Sequence, residues 1–118
     1  MSGFSPEWLA LREPIDHRSR SRALAEQVRA AFAKRSDIRV RDLGCGTGSN
    51  LRGTYPLLPE RQSWTLVDYD ARLLDAARRT LDRWADSSTQ ASDGLQLRKG
   101  RFQIDVAFEQ RDLVRDLD

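Results

Sequence analysis

Ile38-Arg39-Val40-Arg41-Asp42-Leu43-Gly44-Cys45-Gly46-Thr47-Gly48 is the stretch on which the fold turns. Its first six residues alternate apolar and charged, which predicts a strand at 38–43. Three glycines spaced two apart follow at once, and Ser49 to Tyr55 predicts a short helix that stops before Pro56. A strand that passes through glycines into a helix leaves free N–H groups and a positive dipole end at the carboxyl edge of the sheet. The missing side chains of Gly44, Gly46 and Gly48 serve either unusual backbone angles or the close approach of a ligand.

Downstream, Pro59 and the polar run Glu60 to Ser63 read as a loop, and Trp64-Thr65-Leu66-Val67 as a second, short strand ending at Asp68-Tyr69-Asp70. Asp70 is placed to cap a helix whose Leu73, Leu74, Ala77, Leu81 and Trp84 share one face. Asp86 to Gly94 reads as a loop. The period then changes to two. Leu95 and Leu97, a turn at Lys99-Gly100, and Phe102, Ile104, Val106 and Phe108 predict a β-hairpin whose second arm runs into Glu109. Upstream, Asp16 caps a helix placed at about residues 17–35, with Leu24, Val28, Ala31 and Phe32 at helical spacing. Ser5-Pro6-Glu7 starts an earlier helix, which Pro14 ends. Helices alternating with strands predict an α/β chain with a parallel sheet, helices packed on it and right-handed crossovers.

Composition narrows the function. The chain has 118 residues, enough for one domain, with 39% apolar side chains. Its longest apolar runs fall far short of the roughly 20 residues that span a bilayer, and the N-terminus lacks the apolar core of a signal peptide. Cys45 is the only cysteine, so no disulfide forms within the chain. These features predict a cytoplasmic protein without a membrane partner. Twenty basic and 18 acidic groups are interleaved, leaving a net charge of +2. That balance argues against a nucleic-acid binder, which concentrates positive charge on one face. The nearest candidates, Arg18, Arg20, Arg22, Arg29, Lys34 and Arg35, read as a solvated helix face. His17 reads as a helix N-terminal residue, and no spacing of Cys, His, Asp or Glu points to a metal.

The glycine loop has two readings. Glycines in a strand-to-helix turn can simply make the turn, and a carboxylate that ends a strand can simply cap a helix. Asp68, twenty residues after Gly48, favours a ligand, because a carboxylate there can accept both hydroxyl hydrogens of a ribose. The dinucleotide fingerprint Gly-x-Gly-x-x-Gly is broken. Its third position is Ser49, and the glycine comes one residue early as Gly48.

The pattern that is present, Asp42-x-Gly44-x-Gly46-x-Gly48, resembles the first motif of the class I S-adenosylmethionine-dependent methyltransferases. Trp64 to Asp70 resembles their second strand with its ribose-holding acid, and Val106 to Leu113 their third strand with an Asp that meets adenine. The likeness covers about residues 36–118, and Trp8 to Pro14 is similar, more weakly, to bacterial members. It implies a Rossmann-like parallel sheet with flanking helices, incomplete: the first three strands of the methyltransferase sheet plus a β-hairpin arm. Residues 1–35 form an N-terminal helical segment, and 36–118 a partial cofactor-binding domain. The implied cofactor is S-adenosylmethionine and the implied activity is methyl transfer to an unknown acceptor.

The resemblance also implies roles. Asp42 lies near the amino group of the methionine moiety, and the Gly44 and Gly46 backbone lies against that end of the cofactor. Cys45 stands where the family has a small residue, which favours a structural over a nucleophilic thiol. Gly48 opens the following helix. Asp68 accepts from the ribose hydroxyls, and Tyr69 packs on adenine. Asp112 accepts from the adenine amino group, and the Leu113 N–H reaches a ring nitrogen.

The elements that carry acceptor contacts and catalysis in the family lie beyond the third strand, so no catalytic residue is assigned. The chain is expected to be either a fragment or a short protein that borrows its missing half. Either way the strand at 38–43 becomes a sheet edge, which predicts a homodimer through that edge. Arg39 and Arg41, unusual in a central parallel strand, predict a face open to water or to a partner. Two other readings stay open: a non-catalytic binding or assembly module that keeps this fold, and an NAD(P)-binding domain.

Overall fold

The computed structural model describes residues 5–7, 22–112 and 114. Ser5 leads into helical Pro6 and Glu7, as the proline predicts. Trp8 to Pro14, Asp16, His17, Arg18, Arg20 and Leu113 lie outside the described residues.

Helix α1 spans Arg22–Phe32. Strand β1, Asp37–Leu43, leads through the glycine loop into the short helix α2, Ser49–Thr54. A single 3₁₀ turn, Tyr55–Leu57, carries Pro56 in its first turn, where a missing N–H costs nothing. Strand β2 is Arg61–Asp68 and helix α3 is Ala71–Trp84. Strands β3, Ser87–Ala91, β4, Gly94–Lys99, and β5, Phe102–Gln110, follow.

The five strands form one sheet in the order β1-β2-β5-β4-β3. β1, β2 and β5 are parallel neighbours, whereas β4 runs antiparallel to β5 and β3 antiparallel to β4. The sheet is therefore mixed: three strands are parallel, the expected hairpin arm joins them antiparallel, and β3 is an antiparallel strand in a segment that reads in sequence as loop. The chain leaves α3 and enters two hairpin-linked strands before reaching β5, and short turns can join only antiparallel neighbours. The hairpin predicted at Lys99-Gly100 is present, with Lys99 opposite Phe102 and Gly100 at φ +58°.

Two polar segments read as loops are strands. Ser87–Ala91 has no apolar alternation because it is the sheet's outer edge and buries little. Arg61–Ser63 extends β2, and Gln62 explains how a polar residue enters the core. Gln62 is 3% exposed, its Nε2 donates to the carbonyls of Tyr55 and Pro59, both at 2.9 Å, and its Oε1 accepts from Trp64 Nε1 at 2.8 Å. A buried amide satisfied this way costs little, and here it ties the 3₁₀ turn to the sheet.

The helices pack on one face. Ile38, Trp64, Leu66, Leu95, Leu97, Phe102, Ile104 and Val106 supply the sheet's half of the core, and Leu51, Leu74, Ala77 and Leu81 the helices' half. Of the face expected on α1, Val28 and Phe32 pack against this core, while Leu24 and Ala31 are exposed. The opposite sheet face carries Arg39, Arg41, Ser63, Gln96, Arg98 and Gln103, all exposed, as the arginines of β1 led one to expect.

Asp70 caps α3 as expected. Its Oδ1 accepts from the Arg72 N–H at 2.9 Å, and its carboxylate meets the Arg72 guanidinium at 3.1 and 2.8 Å. Chiefly that guanidinium bond holds the Asp70 carboxyl below its usual range. The unfolded chain then takes up this proton first as pH falls. The contribution of Asp70 is complete above the usual carboxylate range, near pH 4, and is lost as pH falls through the lowered folded value. Asp70→Ala is expected to melt below wild type at pH 7, with the gap narrowing in acid, as thermal unfolding at the two pH values checks.

No helix among the described residues is long and apolar enough to cross a membrane.

Candidate functional site

Three parallel strands end together at one edge of the sheet. Leu43 is in register with Val67 and Val67 with Glu109, so the residues just beyond them meet there. This edge gathers the loop Gly44–Gly48, the Asp68-Tyr69-Asp70 corner and the exit from β5 at Arg111-Asp112. In open α/β sheets, ligands bind outside the carboxyl ends of the parallel strands.

The loop is built by its glycines. Gly44, Gly46 and Gly48 have φ of +73°, +58° and +84°, a left-handed backbone that other residues adopt only at a cost. The conformation turns the N–H groups of Gly44 and Cys45 onto the Val67 carbonyl, at 2.8 and 3.0 Å. It also turns the Gly46 N–H onto Asp68 Oδ2 at 3.0 Å. Gly48 is buried: a Cβ there would lie 3.6 to 3.7 Å from the side chains of Leu81 and Leu66. The loop is thus folded down onto β2 and α3 at its end, and Gly44 at its start faces open space within 4 Å of where a Cβ would stand.

Asp68 is the hinge of this arrangement. It is 6% exposed. Oδ2 accepts from Gly46 and Oδ1 accepts from the Asp70 N–H at 2.9 Å, while its main-chain carbonyl accepts from the Arg111 N–H at 3.0 Å. One residue therefore joins all three strand ends. Each carboxylate oxygen has about two acceptor positions, so one backbone bond on each leaves capacity for a ligand hydroxyl.

The other expected site residues divide. Asp42 is half-buried at the end of β1. Tyr69 is 49% exposed beside Asp68, its carbonyl held by Gln110 Nε2 at 3.0 Å. Asp112 is half-buried, and its Oδ1 accepts from the Val114 N–H at 3.0 Å, a local turn that fixes the carboxylate at this edge. Leu113 lies outside the described residues. The side chain of Arg22 is not described either.

The structure adds a cluster that the sequence did not single out. Glu109 bridges Arg41, at 2.9 Å, and Arg111, spanning from β1 to β5 across β2 just outside the loop. Hydrogen bonding from Arg111, then the charges of Arg111 and Arg41, hold the Glu109 carboxyl below its usual range. Arg41 and Glu109 sit on different strands far apart in sequence, and only the register brings them together.

Cys45 lies buried within the loop. It is 6% exposed, and burial, followed by the nearby charges of Asp68 and Asp42, pushes its thiol up to about 12. Its Sγ–H faces the Gly46 carbonyl at 3.5 Å. A nucleophilic cysteine needs the opposite surroundings. The native chain is expected to react with iodoacetamide at pH 8 at least about a thousandfold more slowly than the unfolded chain. Mass spectrometry of alkylation with and without denaturant checks this; rapid native labelling would restore a nucleophilic reading.

A groove of about 680 Å³ lies elsewhere. It runs along the outer side of β1 on the helix-bearing face, between α1 and α2, with Val28, Phe32, Ile38, Val40, Leu58 and Trp64 among its walls.

Comparisons of the chain with models of known families, with curated proteins and with solved structures give no match.

Proposed function

We propose that this chain is the cofactor-binding part of an S-adenosylmethionine-dependent methyltransferase, acting on an acceptor that the described residues do not identify. The observation that carries the reading is the joint between the glycine loop and Asp68, with three left-handed glycines folded over a buried carboxylate that ends the neighbouring parallel strand. On this reading β1-α2-β2-α3-β5 is the opening half of a Rossmann-like methyltransferase sheet, and the antiparallel β3-β4 pair is an arm inserted before its third strand.

The residues present fit such a cofactor. Gly44 offers backbone with open space above it, Asp68 retains acceptor capacity, Tyr69 offers a half-exposed ring and Asp112 a fixed carboxylate. Asp68 would hold the ribose, Asp112 the adenine amino group, and the loop with Asp42 the amino-acid end. When bound, the sulfonium supplies an activated methyl group. The chain's own part is to hold that group in one orientation, the main protein contribution to a transfer in line. Gly48 in place of the spacing that dinucleotides require weighs against a nicotinamide cofactor.

Calorimetric titration with S-adenosylmethionine, S-adenosylhomocysteine and NAD tests the reading. Binding of the first two and not the third is the expected result. Binding of none by the folded chain would overturn it and leave the non-catalytic module; preference for NAD would replace it with the oxidoreductase reading.

A further inference from the structure

We infer that Arg52 is a positioning residue for the glycine edge: its guanidinium clamps the Thr47 carbonyl and so fixes the loop in the form that meets the ligand. Its bearing on the ligand rests on the proposed function, whereas the clamp itself does not. Arg52 stands in the last turn of α2. An arginine there ordinarily serves the helix's own final carbonyls. Arg52 instead reaches back past the start of α2, where Nη2 donates to the Thr47 carbonyl at 3.1 Å and meets Thr47 Oγ1 at 3.5 Å.

The loop needs such a tie. Gly44, Gly46 and Gly48 are left-handed, and glycines keep the widest choice of backbone angles. The first half of the loop is held by its N–H groups, those of Gly44 and Cys45 on Val67 and that of Gly46 on Asp68. The second half leads into a helix of six residues that starts at Gly48 without a side-chain cap, and a helix that short does not hold itself. The peptide between Thr47 and Gly48 is fixed at both ends. The Gly48 N–H donates to the Cys45 carbonyl at 3.1 Å, and the Thr47 carbonyl accepts from Arg52. Thr47 is 4% exposed. Without Arg52 its buried carbonyl loses that partner, and a buried backbone group moves to find another. Rotating this peptide changes φ at Gly48, a residue free to accept the change, and draws Gly46 away from Asp68. A hydrogen bond from a charged donor is among the strong ones. The hydroxyl contact at 3.5 Å is long for a hydrogen bond, so the carbonyl is the point of hold.

Amide hydrogen exchange followed by NMR, beside calorimetric titration with S-adenosylhomocysteine, tests the clamp. Arg52→Ala is expected to quicken exchange at Gly46 and Gly48 about tenfold or more. Leu66 and Ile104, fully buried on the neighbouring strands β2 and β5, are expected to keep their rates and so report an intact fold. Affinity for S-adenosylhomocysteine is expected to fall about tenfold. Arg52→Lys keeps a charged donor in place of the one nitrogen in use, and is expected to recover most of both losses. Thr47→Val removes the hydroxyl and keeps the carbonyl, and is expected to change either readout by less than about twofold. Unchanged loop exchange in Arg52→Ala overturns the inference, as does quickening of loop and core amides together. So does unchanged affinity in a chain whose loop has loosened. A wild-type chain that binds no S-adenosylhomocysteine counts against the proposed function instead, and the exchange rates alone then confirm or overturn the clamp.

Discussion

Gly94→Ala is expected to destabilise the chain by at least about 3 kcal/mol, the upper end of what overpacking a buried site costs. A Cβ at Gly94 would stand 1.7 Å from the Val106 carbonyl oxygen, 2.7 Å from its carbon and 3.0 Å from Ala107 Cα. All three atoms are backbone of β5, which is held between β2 and β4. No rotamer change relieves the clash. β4 must move off β5 at the Gly94–Ala107 pair, and the neighbouring Leu95, 1% exposed, moves with it. Gly100→Ala is the control. Gly100 has φ +58° but nothing within 4 Å of a Cβ, so its cost is the conformational one alone, about 1–2 kcal/mol. Urea unfolding of the two variants separates steric exclusion from backbone strain. Equal midpoints would mean that β4 and β5 part easily and that the hairpin arm is loosely held.

That glycine also shows what the sequence could and could not say. Gly94 reads as the last residue of a flexible loop because Ser, Asp and Gly surround it, yet it is the first residue of β4 and buried. Its role exists only in the register between β4 and β5. The strands around the apolar alternations at 38–43, 64–67 and 95–108 were legible because a half-buried strand must alternate. β3 and the start of β2 were not, since an edge strand has no buried face to announce and Gln62 enters the core through three specific hydrogen bonds. The antiparallel pairing of β4 with β5 was legible in the turn at Lys99-Gly100, whereas that of β3 with β4 was not, because β3 lies in a segment that reads as a loop. Of the candidate site, the glycine loop and Asp68 were legible together because strand ends and spacing determine both. The Arg41–Glu109–Arg111 cluster was not, because it joins residues far apart in sequence.

Asp68→Ala is expected to weaken S-adenosylmethionine binding by roughly 1.5–3 kcal/mol, the range for hydrogen bonds to a charged group, or about ten- to 150-fold. Two effects act in the same direction. The variant loses the acceptor assigned to the ribose, and it also frees the loop. Gly46 loses the acceptor of its N–H and Asp70 loses the contact that sets the start of α3. A partly buried N–H left without a partner costs about 1–3 kcal/mol, so the melting temperature falls as well. Asp68→Asn distinguishes the parts. Its amide keeps one acceptor oxygen but turns an NH₂ toward either Gly46 or Asp70, both of which are donors, so the loop is disturbed nearly as much as by alanine. If affinity follows loop stability across the two variants, Asp68 acts by positioning the glycines. If alanine loses more affinity than stability predicts, the carboxylate itself holds the ligand. Calorimetry beside thermal unfolding gives both readouts from the same samples, and unchanged affinity in a folded Asp68→Ala chain would remove the ribose assignment.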